Sequence, residues 1–405
     1  MGRWDVNVVE PIRMVQQECI VYLEAYEKAG DGIVDAFIDF RQTKDFALFR
    51  RATDYGNMKA SIIEFRSLKA SKRLRRGCYY KLNLDLLKNF QLERQENSLI
   101  IGGAYDLSNM QMPEMDEDEV LQKHDALDAE EMSMANVPPG DLFDNITSND
   151  LKLFVKDVGQ ANWNELRIGD DVKVVYDAGA ELHAHEPEVR QIFEGRKKDL
   201  MRTKPVLVIS HWDMDHIHCL KVMNDDDIRD CFSRIVCPDK LKSITSRNVL
   251  DGFVRALGNA NVYCLPLPGR TNGITMHLWR REGCISLYKA ESSSQINYCG
   301  LVMFVKGNER SACYTGDCRL VQAKDAYDQE KSGGLATNAH VLIAPHHGGD
   351  CGVNYRQYSL PCNVIAISVG FNNGYGHPQS DMLKYLKTLG TVKQTKDAGD
   401  IVEEL

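Results

Sequence analysis

The stretch Val206–Leu220 reads VLVISHWDMDHIHCL. Its first four residues, Val206 to Ile209, are apolar and mostly β-branched. The run is too short for a buried helix and predicts a fully buried strand. At Ser210 the chain turns into His211, Asp213, Asp215 and His216, four candidate metal ligands spaced H-x-D-x-D-H. A loop at a strand end can aim such side chains at one point, and the sheet holds them there. Imidazole together with carboxylate suits a hard or borderline divalent cation. Unpaired at a buried strand end, the same groups would be costly.

Working outward, 405 residues exceed one typical domain, and two are expected. The 43% hydrophobic content is enough for a substantial core. No 18-residue apolar run occurs, and the N-terminal MGRWDVNVVEPIR lacks the apolar segment of a signal peptide. The expectation is a cytoplasmic protein without a membrane partner. Twelve cysteines are scattered with no C-x-x-C pair, which predicts reduced core thiols. A net charge of -9 argues against a broad, non-specific nucleic-acid surface and leaves room for a local basic groove.

Residues 1–110 form a candidate N-terminal accessory domain, mostly helical or mixed. Within it Ile12–Tyr26 carries apolar residues at helical spacing and predicts an amphipathic helix. Arg66–Lys81 (RSLKASKRLRRGCYYK) is basic and ends in two tyrosines. It is read as a solvated basic face rather than a phosphate-contact strip. No catalytic spacing is visible in this unit. Residues 111–148 are acidic and rich in turn formers, and predict a linker with a boundary near 148. Residues 1–148 are also a candidate surface for a protein partner.

Residues 149–405 follow an alternating plan. Strands are expected at Leu151–Val158 and Val172–Tyr176, then a helix at Glu186–Met201 leading into Val206. Later strands are expected at Ser311–Tyr314, Val341–Ala344 and Val364–Val369. Each of these delivers a chemical group just past its end: Asp317, the pair His346 and His347, and His377 on a glycine-rich loop.

Five collinear motifs carry a resemblance over about 150–405. They are D-V-G-Q-A-N with D-A-G (Asp157–Asn162, Asp177–Gly179), S-H-W-D-M-D-H (Ser210–His216), Y-T-G-D (Tyr314–Asp317), A-P-H-H-G-G (Ala344–Gly349) and S-V-G-F-N-N-G-Y-G-H-P (Ser368–Pro378). Together they resemble the metallo-β-lactamase superfamily, and within it the soluble hydrolase domain of the DNA-uptake competence protein ComEC. The resemblance implies an α/β fold, a four-layer αββα sandwich with the metal site at one edge of the paired sheets. It also implies two divalent metal ions. His211 and Asp213 would hold one, Asp215 and His216 the second, and Asp317 would bridge. One of His346 and His347 would complete the second site, and the sequence does not choose between them.

Many superfamily members place a histidine before the bridging aspartate. Here the corresponding stretch is Gln295–Gly300 (QINYCG), and Asn297 stands there as a candidate substrate-binding residue. The expectation is a first site that is ligand-poor, water-rich or only conditionally occupied. Asp213 stands where zinc-preferring relatives carry histidine, which moves preference toward manganese or magnesium while zinc still fits. His377 is expected either to protonate the leaving oxygen or to hold a phosphate. His183, His185, His218, His277 and His340 have no such motif, and His277 is read as structural.

The function implied is a metal-dependent phosphodiesterase or nuclease, with a hydroxide on the metal pair as nucleophile and nucleic acid or a nucleotide as substrate. Asp215 and His377 are its candidate catalytic residues. The alternatives are a regulated or degenerate metal-binding module acting through protein partners, or a hydrolase of another ester or amide.

Overall fold

A computed structural model describes residues 18–30, 33–53, 62–69, 74–89, 91–94, 99–102, 142–143, 146–293, 295–333, 340–349, 352, 356, 360–371 and 373–405. Most of the acidic stretch expected as a linker lies outside the described residues. Among the described residues no helix is long and apolar enough to cross a membrane, and the eleven described cysteines are free.

The first unit is built on a sheet. Its strands are β1 (Glu18–Gly30), β2 (Ile33–Phe40), β3 (Ile63–Lys69), β4 (Tyr79–Asn83), β5 (Gln91–Arg94) and β6 (Leu99–Gly102), in the order β4-β1-β2-β3-β6-β5. One helix, α1 (Thr43–Ala52), packs on it. Its core gathers Val21, Leu23, Ile38, Phe40, Phe49, Phe65 and Leu82. The unit is therefore mixed, and the helix expected over Ile12–Tyr26 is corrected. From Glu18 onward that segment is strand β1, and what precedes it lies outside the described residues. Val21 through Ala25 are all buried, since both faces of the strand are covered. A strand buried on both faces, here with Glu24 among its apolar residues, has no period of 2 to reveal it.

The second unit holds two seven-stranded sheets. One contains β7 (Leu151–Val155), β8 (Trp163–Ile168), β9 (Asp171–Ala178), β10 (Val206–Val208), β11 (Arg234–Pro238), β12 (Val262–Leu265) and the C-terminal strand β20 (Ile401–Glu404), in the order β12-β11-β10-β9-β8-β7-β20. The other runs in chain order through β13 (Met276–Glu282), β14 (Ile285–Ala290), β15 (Leu301–Lys306), β16 (Ser311–Tyr314), β17 (His340–Ile343), β18 (Cys362–Ile367) and β19 (Thr391–Gln394). Strands β9 to β12 pair in parallel, as do β16 to β19.

Alternation along β10 shows how the layers form. Val206 and Val208 enter a core shared with Leu301, Met303, Val341 and Ala366 of the facing sheet. Leu207 points the other way, into a core closed by Val189 and Phe193 of α2 (Glu186–Thr203), Ile217 of α3 (Met214–Lys221), Ile228 of α4 (Asp225–Cys231) and Phe253 of α5 (Ile244–Leu257). On the far side, Val302, Phe304, Leu342 and Ile365 pack on Leu320, Ala323 and Tyr327 of α6 (Leu320–Ser332) and on Met382 and Leu386 of α7 (Ser380–Leu389). The result is the four-layer αββα sandwich. The Val206–Ile209 run reads as continuous hydrophobicity because both of its faces are covered. The expected strands and the helix at Glu186 are present; strands such as β8, β11, β12, β14 and β15 are additions to that expectation, and in β8 the apolar pattern is broken by the buried Asn164, Glu165 and Arg167.

At or just past the C-terminal ends of β9, β10, β16, β17 and β18 lie Asp177–Gly179, His211–His216, Asp317, His346–His347 and Ser368–His377. In open parallel sheets this edge is where ligands bind. One glycine lets the loops converge there. A Cβ on Gly179 would lie 1.8 Å from the carbonyl oxygen of Asp215. Gly179 N–H donates to Asn162 O (2.8 Å), and Asn162 N–H donates to Asp215 O (2.8 Å), which locks the end of β9 against the start of α3. Gly179→Ala is expected to force these segments apart at a cost on the order of 1–3 kcal/mol or more, read as a lowered urea midpoint of the metal-free protein. An unchanged midpoint would show that the approach is not constrained.

Candidate metal centre

The loop after β10 is shaped from below by Asp177. This residue ends β9 in the left-handed region (φ 62). Its carboxylate accepts from Ser210 N–H (2.7 Å), from Ser210 Oγ (2.8 Å) and from His216 Nδ1 (2.8 Å). In the last bond Nδ1 of His216 donates, which turns Nε2 toward Asp317. His347 is fixed in the same manner: Nδ1 donates to the carbonyl of Ser368 (2.8 Å), leaving Nε2 free. His346 and His347 both have left-handed backbones (φ 50 and 53), a conformation that costs free energy and aims two adjacent rings at one edge.

His211 and Asp213 lie in extended chain, whereas Asp215 and His216 lie in the first turn of α3. Asp213 occupies the helix N-cap position, yet its side chain caps nothing and turns into the site. Two groups of side chains offer ligand atoms within 4.8 Å of one another: His211, His216 and Asp317, and Asp215, His216 and His347. Nε2 of His216 stands 3.0 Å from Asp317 Oδ1, and Nε2 of His347 stands 3.3 Å from Asp215 Oδ2. Nε2 of His211 is 3.5 Å from Asp213 Oδ2 and 3.6 Å from Asp317 Oδ2.

Five atoms in this cluster are buried without a hydrogen-bond partner: His211 Nε2, Asp213 Oδ2, Asp215 Oδ2, Asp317 Oδ1 and His347 Nε2. Unsatisfied buried polar atoms are rare and costly. Here they are all electron-pair donors facing one another, which is the arrangement a divalent cation satisfies. The residues present therefore fit such an ion. The mixed nitrogen and oxygen donors are compatible with zinc or manganese.

The surrounding charges favour the ionised carboxylates. Burial alone would raise the carboxyl of Asp317, but His346, His216 and His211 outweigh it and hold the group well below the ordinary carboxylate range. Burial likewise opposes ionisation of Asp215, and Arg76, His216 and His347 overcome it. For Asp213 the opposing groups are Lys242, His211 and Arg76. Burial would depress His216, yet Asp317, Asp177 and Asp215 raise its imidazole above the usual value.

His346 and His347 occupy different places in the cluster. His347 joins a ligand group, whereas Nδ1 of His346 faces Asp317 Oδ2. Asn297 Nδ2 donates to Asp317 Oδ2 (2.8 Å) and stands 3.2 Å from His346 Nδ1. His377 lies beside them, its ring edge-on to His346 with centroids 5.2 Å apart. Burial, then His346, His347 and Arg76, push its imidazole down to about 2. Its Nδ1 has no partner. Among the other histidines, His218 and His340 are buried and His277 is half-buried on β13.

Several contributors were missed. Asp177 stood in the D-A-G motif without a role. Lys242, in the loop before α5, donates to Asp213 Oδ1 (2.9 Å) and pairs with Glu24. Tyr22 of β1 donates its hydroxyl to Asp213 Oδ1 (2.8 Å), and Arg76 Nη2 donates to Asp215 Oδ1 (2.6 Å). The first unit thus does reach the site. The reading of Arg66–Lys81 as a solvated face fails at Arg76, whose side chain is only 14% exposed. No spacing links these residues to positions 211–216, so only the folded chain brings them together.

No protein-family model and no curated protein matches this sequence. Among solved structures the chain is similar to the metallo-β-lactamase fold protein YhfI from Bacillus subtilis, at 12% identity over 63% of this chain and 100% of that one, with a TM-score of 0.36. It is also similar to Tm1679, described as a metal-dependent hydrolase of the β-lactamase superfamily (10% identity, 63% and 99% covered, TM-score 0.38). A third is the short form of human tRNase Z (11% identity, 60% and 90% covered, TM-score 0.31).

Asp215→Ala is expected to lower the metal content of the purified protein, read by elemental analysis; equal content would remove Asp215 from the ligand set. Asp177→Asn keeps the shape but removes the charge behind His216. Its metal affinity is expected to fall about 10–100-fold, read by calorimetric titration with Mn2+ or Zn2+.

Proposed function

We propose that this chain is a metal-dependent hydrolase that cleaves phosphodiesters, with nucleic acid or a nucleotide as substrate. The observation that carries the reading is the set of unpartnered, mutually facing His and Asp atoms at the parallel-strand edge. His216, Asp215 and His347 would hold one cation, and His211 and Asp317, with Asp213 alongside, a second. A bound divalent pair would supply Lewis acidity toward a phosphoryl oxygen and acidify a water.

The chain's own residues do the rest. Asp177 and the Ser368 carbonyl orient the two key imidazoles. Asn297 holds Asp317 by its second oxygen. His377, kept neutral by burial, holds a substrate oxygen through its unpartnered ring nitrogen rather than serving as a charged proton donor. The competence-type motifs at Ser210–His216 and Ser368–Pro378 support a phosphodiester over another ester or amide. Near-complete burial of the ligand residues favours, as a second reading, a regulated metal module whose first unit contacts a partner.

The test is turnover of bis-p-nitrophenyl phosphate, single- and double-stranded DNA, and RNA, with Mn2+, Mg2+ and Zn2+ supplied separately. Metal-dependent phosphodiester cleavage is expected. His377→Ala is expected to lower kcat about 10–100-fold, the loss of one hydrogen bond to a charged group, with metal content unchanged. No cleavage with any metal, together with turnover of a β-lactam or thioester, would contradict the proposal.

A further inference from the structure

Each of the two loop aspartates divides its oxygens between two neighbourhoods. Oδ2 of Asp213 is unpartnered and 3.5 Å from His211 Nε2, while Oδ1 accepts from Tyr22 and from Lys242. Oδ2 of Asp215 is unpartnered and 3.3 Å from His347 Nε2, while Oδ1 accepts from Arg76. In both, Oδ2 is left without a hydrogen bond and Oδ1 is held; Oδ1 of Asp215 also stands 4.0 Å from His216 Nε2. Tyr22 and Arg76 come from the first unit, 191 and 139 residues away from their partners. We propose that the first unit is a built-in part of the metal centre, with Tyr22 and Arg76 as positioning residues that hold Oδ1 of Asp213 and Oδ1 of Asp215.

The contact is seated by packing on every side. Tyr22 and Tyr79 meet edge-on with centroids 5.2 Å apart and share a small core with Ile296. The Tyr79 hydroxyl donates to the Lys242 carbonyl (2.9 Å), and the Lys242 ammonium lies 4.5 Å from the Tyr22 ring centre. Glu24, also on β1, holds that same ammonium. Beside Arg76, Gly77 adopts φ +78, and a Cβ there would lie 2.6 Å from Asn297 Oδ1. Arg76 itself lies over the Tyr375 ring, its guanidinium carbon 5.3 Å from the centre. Such a frame fixes side chains to the tolerance a metal site requires.

Arg76 Nη2 also stands 3.6 Å from Asp213 Oδ2, outside hydrogen-bond reach. A guanidinium at that place has two opposite consequences. As a positioning group it strengthens metal binding. As a rival cation it weakens it. Its short bond to Oδ1 leaves Oδ2 of Asp215 open toward His347 Nε2, which favours the first.

The inference rests on the metal-centre reading above, and the experiment separates the two. Full-length wild type, Arg76→Met, Arg76→Lys and Tyr22→Phe are titrated with Mn2+ and Zn2+ by calorimetry, and Co2+ forms are compared by visible absorption. Thermal melting of the metal-free proteins checks folding. Arg76→Met is expected to weaken binding about 10–100-fold and to alter the Co2+ bands, and Arg76→Lys to recover part of the loss, since lysine keeps the charge but not the planar fork. Tyr22→Phe removes one hydroxyl and decides the matter if Arg76→Met does not fold; weaker binding supports the proposal. Unchanged affinity in both variants overturns it, and tighter binding in Arg76→Met overturns it by making the arginine a rival. A wild type that binds no divalent metal overturns it together with the metal-centre reading. A wild type that binds metal but cleaves no phosphodiester overturns only the substrate assignment.

Discussion

Three ionised carboxylates, Asp213, Asp215 and Asp317, converge in a space closed to water. Like charges in a low-dielectric interior repel strongly and carry a large desolvation cost. The rest of the site answers that constraint. Lys242 and Arg76 pair with Oδ1 of Asp213 and Oδ1 of Asp215, three imidazoles face the carboxylates, and a divalent cation among them would complete the balance. The fold serves the same end. Only the ends of several parallel strands, backed by apolar layers on both faces, can hold so many charges at fixed separations.

Burial makes the site precise and also closes it. The ligand residues are almost wholly covered, and the cover includes β1, Arg76 and the loop carrying Tyr375 and His377. The proposed chemistry therefore ties substrate access to the seating of the first unit.

Much of the second unit was legible. The Val206–Ile209 run, the H-x-D-x-D-H spacing and the strands ending at Asp317, His347 and His377 are local signals, each contained in about ten residues. That His347 rather than His346 offers its Nε2 to a candidate ligand group depends on the backbone of a single turn. Asp177 could be seen as a motif but not as the partner of His216, because a hydrogen bond across 39 residues leaves no periodic trace. Strand β1 was mistaken for a helix because packing on both faces erased its alternation. Arg76 looked like one of many surface charges, and only tertiary structure distinguishes the one that is buried.

The most direct measurement is anomalous X-ray scattering from crystals of the full-length protein grown with saturating Mn2+ or Zn2+. The account expects a peak bonded to Asp215 Oδ2 and His347 Nε2 at about 2.0–2.2 Å, with Tyr22 and Arg76 still on Oδ1 of Asp213 and Oδ1 of Asp215. Anomalous density located elsewhere, or none at saturating metal, would contradict it.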